Sequence, residues 1–384
     1  MKVNIISINP ITVIPLLRYI VDFFIKDTKA RVTITETHVK NFNNYYDNID
    51  QCNFDNISEY ETYEAFSNQS TGFKFNKYFI IIKKILSIYI KSEQQLIYTS
   101  DYQVLFFSLV LRAFFKSKKV IIIYHQYELV ELKKLNKINH FFYAYVLKKA
   151  KNIDLTLFSE INRLNYFAKE SSLRIENSMV LPNSCKKSTQ TNNTKHHLFD
   201  QFPEGSFIVA HIGNVGGHQH YFHNFISAVE KLEANQNVIF VFIGRKNELI
   251  EDTIKSKQLS NLYFIDPVPH EELDQIYPFI DLGIILYKGT SPNYEYCAPN
   301  KLYELWKYGV PVIGHQLKGL TPLFDNKVKG VLTNFDNPLK ISTAIINYLE
   351  EKENKEELKG FFNTELSIDI HLKEFSKKLM PLLN

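Results

Sequence analysis

Two series of short apolar runs, each alternating with helical patterns, constrain the fold of this chain more than any other feature. The runs of the first series fall at residues 3–8, 31–35, 96–98, 120–124, 155–158 and 179–181. Those of the second fall at residues 207–212, 238–243, 262–265, 282–286, 311–314 and 330–333. Strands that alternate with helices are typical of parallel sheets with helices on their faces. The pattern therefore predicts an α/β protein with two such sheets.

A polar stretch separates the two series. Residues 185–195 have no apolar period and many turn-forming residues, so we interpret them as an interdomain linker. A length of 384 residues also fits two domains better than one core. We predict a first domain at residues 1–185, a second at 196–367, and a helix at 368–384 that packs back on the first domain. Residues 41–76 show no clear period and predict a long loop or an irregular insertion.

Composition and charge exclude several classes of protein. A hydrophobic fraction of 45% with interspersed charges indicates a globular chain. The cysteines Cys52, Cys185 and Cys297 lie far apart and without metal-ligand spacing, so neither a disulfide framework nor a zinc site is indicated. The N-terminus reads as a first strand rather than a signal peptide, and no apolar run is long enough to span a membrane. The net charge of +4, without a basic helix, does not favour nucleic acid. These features predict a cytoplasmic protein.

The segment 298–313 carries the most informative chemistry. Pro299 suits the first position of a helix, whose free N–H groups attract anions. Lys301 then lies in the first turn, where the helix dipole disfavours a cation, and Glu304 lies one turn further along the same face. One interpretation is that Lys301 and the helix end hold a phosphate while Glu304 accepts hydrogen bonds from ribose hydroxyls. The other is a solvated Lys–Glu pair on an ordinary helix.

Two further strands of the second series are followed by groups that could bind a phosphate. A glycine-rich turn with Gly213, Gly216 and Gly217 follows the run at 207–212, and glycines there let backbone N–H groups approach phosphate oxygens. The turn matches neither a P-loop nor a dinucleotide fingerprint, and a plain turn that needs positive φ explains it equally well. Arg245 adds a cation after the run at 238–243, at the edge where open α/β sheets bind ligands, although a lone arginine is usually a solvated charge.

Three residues of the first domain are candidate catalytic groups. His125 and Glu128 follow the run at 120–124, and Asp101 follows the run at 96–98. His125 could donate a hydrogen bond to a sugar hydroxyl or act as an acid or base, and Glu128 could orient it or bind an acceptor. A histidine that only caps the next helix explains the same pattern.

A basic and aromatic region covers residues 74–149. It contains 14 lysine and arginine residues against 4 acidic ones, interleaved with pairs of phenylalanines. This composition suits an anionic bilayer surface. It is equally typical of core faces with lysine rims. A membrane role would place the protein at the inner face of the cell membrane.

The motifs at 213–217, 244–245, 298–304 and 309–313 together resemble those of the GT-B glycosyltransferases, in particular the family 4-like bacterial enzymes of surface-polysaccharide synthesis. The resemblance is specific from about residue 207 to 314 and implies two Rossmann-like domains facing a cleft. It implies that Glu304 binds the donor ribose, that Lys301 and Arg245 bind the diphosphate, and that Asn300 and the glycine loop also contact the donor or acceptor. His125 matches the family's first-domain histidine near the transferred sugar only loosely.

One position departs from the family pattern. Family 4 enzymes often carry two glutamates separated by seven residues, but Tyr296 stands where the first would fall, and Glu295 is one place off. The family's retaining outcome therefore does not transfer directly. An inverting enzyme would need a general base in the first domain, with His125, Glu128 and Asp101 as candidates.

The resemblance implies a hexosyltransferase that moves a sugar from a nucleotide diphosphate donor, UDP-linked, to a saccharide on a membrane lipid carrier. It implies no cofactor and no metal. Two alternatives stay open: a nucleotide-sugar epimerase of the same architecture, and a non-catalytic nucleotide-sugar-binding module.

Overall fold

The protein consists of two compact units. A computed structural model describes residues 1–383 apart from 11–13, 40–51, 61–70, 116–119, 189–194, 236, 326 and 352–353. The first unit comprises Met1–Pro182 with His371–Asn384, and the second comprises Asn183–Ile370. The sequence placed the first boundary at residue 185, and the structure places it after Pro182.

The first unit is a seven-stranded parallel sheet in the order β3-β2-β1-β4-β5-β6-β7. The central strands are buried on both faces, which explains their continuous apolar sequences. The strands are β1 (Lys2–Ile6), β2 (Arg31–Val39), β3 (Cys52–Tyr60), β4 (Gln95–Thr99), β5 (Val120–Gln126), β6 (Leu155–Phe158) and β7 (Ser178–Val180). The helices are α1 (Pro15–Lys26), α2 (Thr71–Tyr89), α3 (Tyr102–Phe115), α4 (Lys137–Lys149) and α5 (Ile161–Glu170).

The prediction of an irregular insertion at 41–76 is wrong for residues 52–60. They form β3, which pairs in parallel with β2 and accommodates a register shift between Glu36 and Thr37. As the edge strand of the sheet, β3 is covered on fewer sides than its neighbours and alternates exposed with half-buried residues. Its polar composition follows from that exposure and hid it from a search for apolar runs. Residues 71–76 belong to α2, and 41–51 and 61–70 lie outside the described residues.

The second unit is a six-stranded parallel sheet in the order β10-β9-β8-β11-β12-β13. Its strands are β8 (Phe207–Ile212), β9 (Val238–Ile243), β10 (Leu262–Ile265), β11 (Leu282–Ile285), β12 (Val312–His315) and β13 (Gly330–Thr333). Its helices are α6 (Phe222–Lys231), α7 (Glu248–Lys257), α8 (His270–Ile276), α9 (Pro292–Glu295), α10 (Asn300–Lys307), α11 (Pro338–Glu351) and α12 (Lys355–Phe361). The strand order reverses between β8 and β11, which is where open α/β sheets bind ligands.

The last helix, α13 (Ile368–Leu383), belongs to the first unit from His371 onward. The Phe375 ring lies 5.2 Å from that of Phe23 and 6.1 Å from that of Phe24, centroid to centroid, so α13 packs on α1. Gln94 Nε2 donates to the carbonyl oxygen of Leu383 at 3.0 Å. The first unit is therefore built from both ends of the described chain.

None of the helices in the described part of the chain is long and apolar enough to cross a membrane.

Candidate active site

Helix α10 brings Lys301 and Glu304 together with a third residue, Tyr277. Lys301 Nζ donates to Glu304 Oε2 at 2.7 Å and to the Tyr277 hydroxyl oxygen at 3.3 Å. The Tyr277 hydroxyl donates to the same Glu304 oxygen. One carboxylate oxygen thus accepts from a cation and from a phenol, an arrangement that fixes the orientation of the carboxylate.

The local sequence explains how α10 presents these groups. Leu302, Leu305 and Trp306 bury the inner face of the helix, which leaves Lys301 and Glu304 on the other side. The helix begins at Asn300, and Pro299 is the extended residue before it. The prediction of Pro299 as the first helical residue is therefore off by one position, although a proline just before the helix still leaves no N–H to satisfy.

Tyr277 is the member of the cluster that the sequence analysis missed. It lies in a single 3-10 turn, Tyr277–Phe279, after α8 and is only 1% exposed. Burial raises the pKa of its hydroxyl well above the usual value, and the Glu304 carboxylate raises it further, so the phenol stays protonated and acts as a donor. The Tyr308 ring stacks on the Tyr277 ring at 5.6 Å. No sequence signal links Tyr277 to Glu304, because packing and not spacing brings them together.

The glycine loop after β8 is joined to the loop after β9. Gly213 has φ +129, a conformation that favours glycine, and its N–H donates to the carbonyl of Ile243 at 2.9 Å. A Cβ added at Gly244 would clash with the Gly213 carbonyl oxygen. Asn214 Oδ1 accepts from the Arg245 N–H at 3.3 Å. Gly213 is therefore required by its positive φ, and Gly244 by the close approach of the two loops. The exposed Arg245 lies beside the glycine loop.

The rest of the glycine loop contacts the end of β11. Gly216 is within hydrogen-bond distance of His220 Nδ1, and a 3-10 turn begins at Gly217. His220 forms an isolated bridge with Tyr287, and Gln219 Oε1 accepts from the Tyr294 hydroxyl at 2.6 Å. The loops after β8 and β11 are thereby held together at the point where the strand order reverses.

His211, the penultimate residue of β8, lies near Lys301. Burial lowers the pKa of His211 to about 4, and the positive charge of Lys301 contributes to the decrease. Its Nδ1 donates to the carbonyl of Ile284 at 3.0 Å, which fixes the neutral tautomer with a proton on Nδ1. The charge of Lys301 therefore acts on the end of β8, directly before the glycine loop.

The position that departs from the family pattern lies on a short helix near β11. Glu295 is the last residue of α9, and its carboxylate is 3.9 Å from Lys318 Nζ. The neighbouring Tyr296 ring lies 6.0 Å from the same nitrogen. A Cβ added at Gly289 would clash with Glu295 Oε2, so a glycine at 289 leaves room for this carboxylate.

In the first unit, His125 is fully buried within β5. Its Nδ1 lies 2.5 Å from the Tyr98 hydroxyl, and its ring is 4.0 Å from that of Tyr127. Burial lowers the pKa of His125 to about 3, so the imidazole is neutral at pH 7. Its Nε2 has no hydrogen-bond partner among the described residues.

Asp101 and Glu128 differ in their surroundings. Asp101 precedes α3, and its Oδ2 accepts from the Ile8 N–H at 2.8 Å. Burial raises the pKa of Asp101 to about 6. Glu128 lies exposed in the loop after β5. Because β4 and β5 are neighbours, Asp101 and His125 lie at the same edge of the sheet.

In the described part of the chain, no group of three or more His, Cys, Asp or Glu side chains is arranged to hold a metal ion.

The comparison with protein families identifies the second unit. Residues 193–360 match the family described as "Glycosyl transferases group 1". No curated protein sequence matches the chain.

Solved structures are similar to the chain over nearly its whole length. HepE of Anabaena in complex with UDP-glucose has 14% sequence identity and a TM-score of 0.72, with 99% of each chain covered. A glycosyltransferase of Rickettsia africae has 10% identity and a TM-score of 0.72, again with 99% of each chain covered. WaaG, described as a glycosyltransferase involved in lipopolysaccharide biosynthesis, has 12% identity and a TM-score of 0.67, with 97% of this chain and 98% of WaaG covered.

Two doubly wound parallel sheets and these similarities define the class: the protein is a glycosyltransferase of the GT-B fold. The predicted fold class and the predicted enzyme class are both confirmed.

Proposed function

We propose that the protein transfers a sugar from a UDP-sugar donor to a lipid-linked saccharide acceptor in polysaccharide biosynthesis. The observation that carries the donor assignment is the cluster of Tyr277, Lys301 and Glu304 on and beside α10. Because Tyr277 and Lys301 both donate to one oxygen of Glu304, this carboxylate has a fixed orientation before any ligand binds. A fixed carboxylate can accept hydrogen bonds from the two neighbouring hydroxyls of a ribose.

The same cluster suits the diphosphate of a donor. Lys301 lies in the first turn of α10, where the helix N–H groups also favour an anion. When a donor binds, its phosphate competes with Glu304 for the Lys301 ammonium group. Catalysis then rests on positioning and on stabilising the departing diphosphate with Lys301, Arg245 and the helix end. The HepE structures in complex with UDP and with UDP-glucose support a uridine donor.

The acceptor assignment rests on the outer helices of the first unit. WaaB and WaaG have structures similar to this chain; WaaB is described as a lipopolysaccharide outer core galactosyltransferase, and WaaG as a glycosyltransferase involved in lipopolysaccharide biosynthesis. Phe79 on α2 and Phe141 on α4 are 67% and 61% exposed, and Ile138, on the same helix as Phe141, is also exposed. Lysines interleave with these apolar residues, a combination that suits an anionic membrane where a lipid-linked saccharide would reside.

Calorimetry with UDP tests the donor site. We expect Lys301→Ala and Glu304→Ala each to weaken UDP binding by about 10- to 100-fold, because each removes a charge-assisted hydrogen bond. The matched controls are Lys377→Ala and Glu374→Ala, which break an exposed pair of the same spacing on α13. Their UDP affinity should equal that of the wild type. Unchanged affinity in both α10 variants would contradict the assignment.

Acceptor dependence tests the reaction. A transferase moves labelled sugar onto a lipid extract, whereas an epimerase of the same architecture releases a free sugar product without any acceptor. We expect labelled lipid and only slow donor hydrolysis when the acceptor is omitted. A thermal-shift screen of nucleotide sugars identifies the donor beforehand, because a ligand that binds only the folded state raises its melting temperature.

A further inference from the structure

A basic pocket lies in the first unit at the N-terminal ends of β5, β6 and β7. Its volume is about 350 Å³. The carbonyl of Val120, the first residue of β5, accepts from Arg112, a lining residue, whereas His125 stands near the other end of that strand. Five residues separate Val120 from His125, so at about 3.3 Å per residue this end of β5 is roughly 16 Å from His125. The pocket is therefore separate from every candidate catalytic residue. It is lined by Leu109, Arg112, Ala113, Tyr145, Lys149, Lys151, Asn152, Ile153, Asp154, Arg174 and Asn177.

Three cations of the pocket are left without a counter-charge. The pocket has four basic lining residues and one acidic one, so its net charge is 4 − 1 = +3. The acid, Asp154, is already engaged, because Arg112 Nη2 donates to its Oδ2 at 2.5 Å and the Ile122 N–H donates at 2.7 Å. Among the described residues, Lys149, Lys151 and Arg174 form no ion pair. Their positive charges are therefore available to attract an anion that enters the pocket.

The helix dipole explains why one of these three cations lies where it does, but not the other two. Lys149 is the last residue of α4, where a cation is favoured. Arg174, in contrast, directly precedes a 3-10 turn, Ile175–Asn177, where a cation gains nothing from the backbone. The convergence of Arg174 with Lys149 and Lys151 on one pocket therefore needs another reason.

Exposed apolar side chains lie next in sequence to two lining residues of the pocket, Ala113 and Arg174. Phe114, two residues after Arg112 on α3, is 79% exposed, and Ile175, next to Arg174, is 62% exposed. Phe114 and the adjacent Phe115, which is 43% exposed, form an apolar patch rather than a single exposed residue. Such patches mark surfaces that contact membranes or partners, and a site for soluble phosphate gains nothing from one. A phospholipid satisfies both features, because its head group is anionic and its chains are apolar.

We propose that this pocket binds the phosphate head group of an anionic membrane lipid while Phe114 and Ile175 enter the acyl layer. The proposal extends the lipid-linked acceptor of the proposed function with a specific anchoring site. Helices α2, α3 and α4 pack side by side on one face of the sheet, with Phe79 and Phe141 exposed there as well. The pocket gives this face a binding site for individual lipids, and it holds the chain on the bilayer independently of the acceptor.

Vesicle flotation of the full chain tests the site. The pocket variant combines Lys149→Ala, Lys151→Ala and Arg174→Ala. The matched control combines Lys255→Ala, Lys340→Ala and Lys373→Ala, which removes the same charge from exposed positions elsewhere. On vesicles of phosphatidylglycerol and phosphatidylcholine we expect the pocket variant to bind roughly 100-fold more weakly than the wild type, and the control to stay within about threefold. Phe114→Ser should weaken binding with all charges intact.

Three results would overturn the proposal. Equal losses in the two triple variants would mean that net charge alone drives binding. Wild-type binding to inorganic phosphate in calorimetry, without flotation, would mean a free-phosphate site. Wild-type flotation unaffected by the pocket variant would place membrane contact elsewhere. UDP calorimetry on the same variants separates the two proposals, because the pocket variant should bind UDP normally. Absence of UDP binding in the wild type would count against the donor assignment alone.

Discussion

The two units share one architecture but use it differently. In the second unit, polar side chains on and beside α10 are bonded to one another in the Tyr277, Lys301 and Glu304 cluster. In the first unit, the strand-end histidine is sealed in the core as a neutral imidazole, and the cations lie on the outer helices and at the opposite edge of the sheet. Under the two proposals above, the same fold would bind a small anion beside α10 in one unit and a membrane surface on the outer helices of the other.

The largest expected effect concerns Asp101, which follows β4 in the first unit and has a pKa of about 6. A catalytic role for Asp101 would contradict the contrast between the two units, because it would give the first unit a reactive group at a strand end. If transfer inverts, Asp101 acts as the base only when ionised, so kcat should fall as the pH falls through about 6. Asp101→Asn should lower kcat at pH 8 by roughly 100-fold and remove this acid limb. Initial rates from pH 5 to 9 measure it. If the variant keeps both the rate at pH 8 and the fall of kcat at acidic pH, Asp101 is not the base. Its role would then be to hold the loop at Ile8 through their hydrogen bond.

Gly244→Ala should disturb the second unit's joined loops. The added methyl group would meet the Gly213 carbonyl oxygen and push the glycine loop from Arg245, so we expect UDP affinity to fall by about tenfold with a loss of stability of about 1–3 kcal/mol. Gly360→Ala is the control, because nothing lies within 4 Å of its added Cβ. Calorimetry and thermal unfolding measure the pair. Similar behaviour of the two variants would show that the loops can separate without cost.

Tyr277→Phe tests whether Tyr277, which the sequence analysis did not identify, positions Glu304 or only supports packing. Removing the hydroxyl leaves Glu304 with Lys301 as its remaining partner in the cluster, so UDP affinity should fall by about three- to tenfold. A positioning role predicts more than weaker binding: the preference for UDP over 2′-deoxy-UDP should shrink as well. Titration with both nucleotides measures this. An intact preference would make Tyr277 a packing residue that supports α10 through its stack with Tyr308.

The smallest expected effect concerns metal. Because Lys301, Arg245 and the helix end are proposed to carry the diphosphate charge, EDTA should change the initial transfer rate by less than about twofold. Added Mg²⁺ after EDTA treatment is the control for chelation. If EDTA lowers the rate strongly and Mg²⁺ restores it, a metal ion bound with the donor helps to neutralise the diphosphate charge.

Local signals account for what the sequence predicted. Both sheets follow from apolar runs, and Lys301 and Glu304 are one helical turn apart, a spacing that sequence alone displays. Tyr277 lies 24 residues before Lys301 and reaches it only through tertiary packing. β3 was missed because an edge strand needs few apolar residues. The pocket at Arg174 was missed because three strand beginnings, distant in sequence, converge there.

The return of α13 to the first unit has a consequence for biosynthesis. A ribosome completes residues 1–182 long before it reaches Phe375, whose ring packs against Phe23 and Phe24. The first unit therefore lacks its contacts with Phe375 while the whole second unit, Asn183–Ile370, is synthesised. A nonsense mutation that removes Phe375 would consequently damage the part of the enzyme that is translated first.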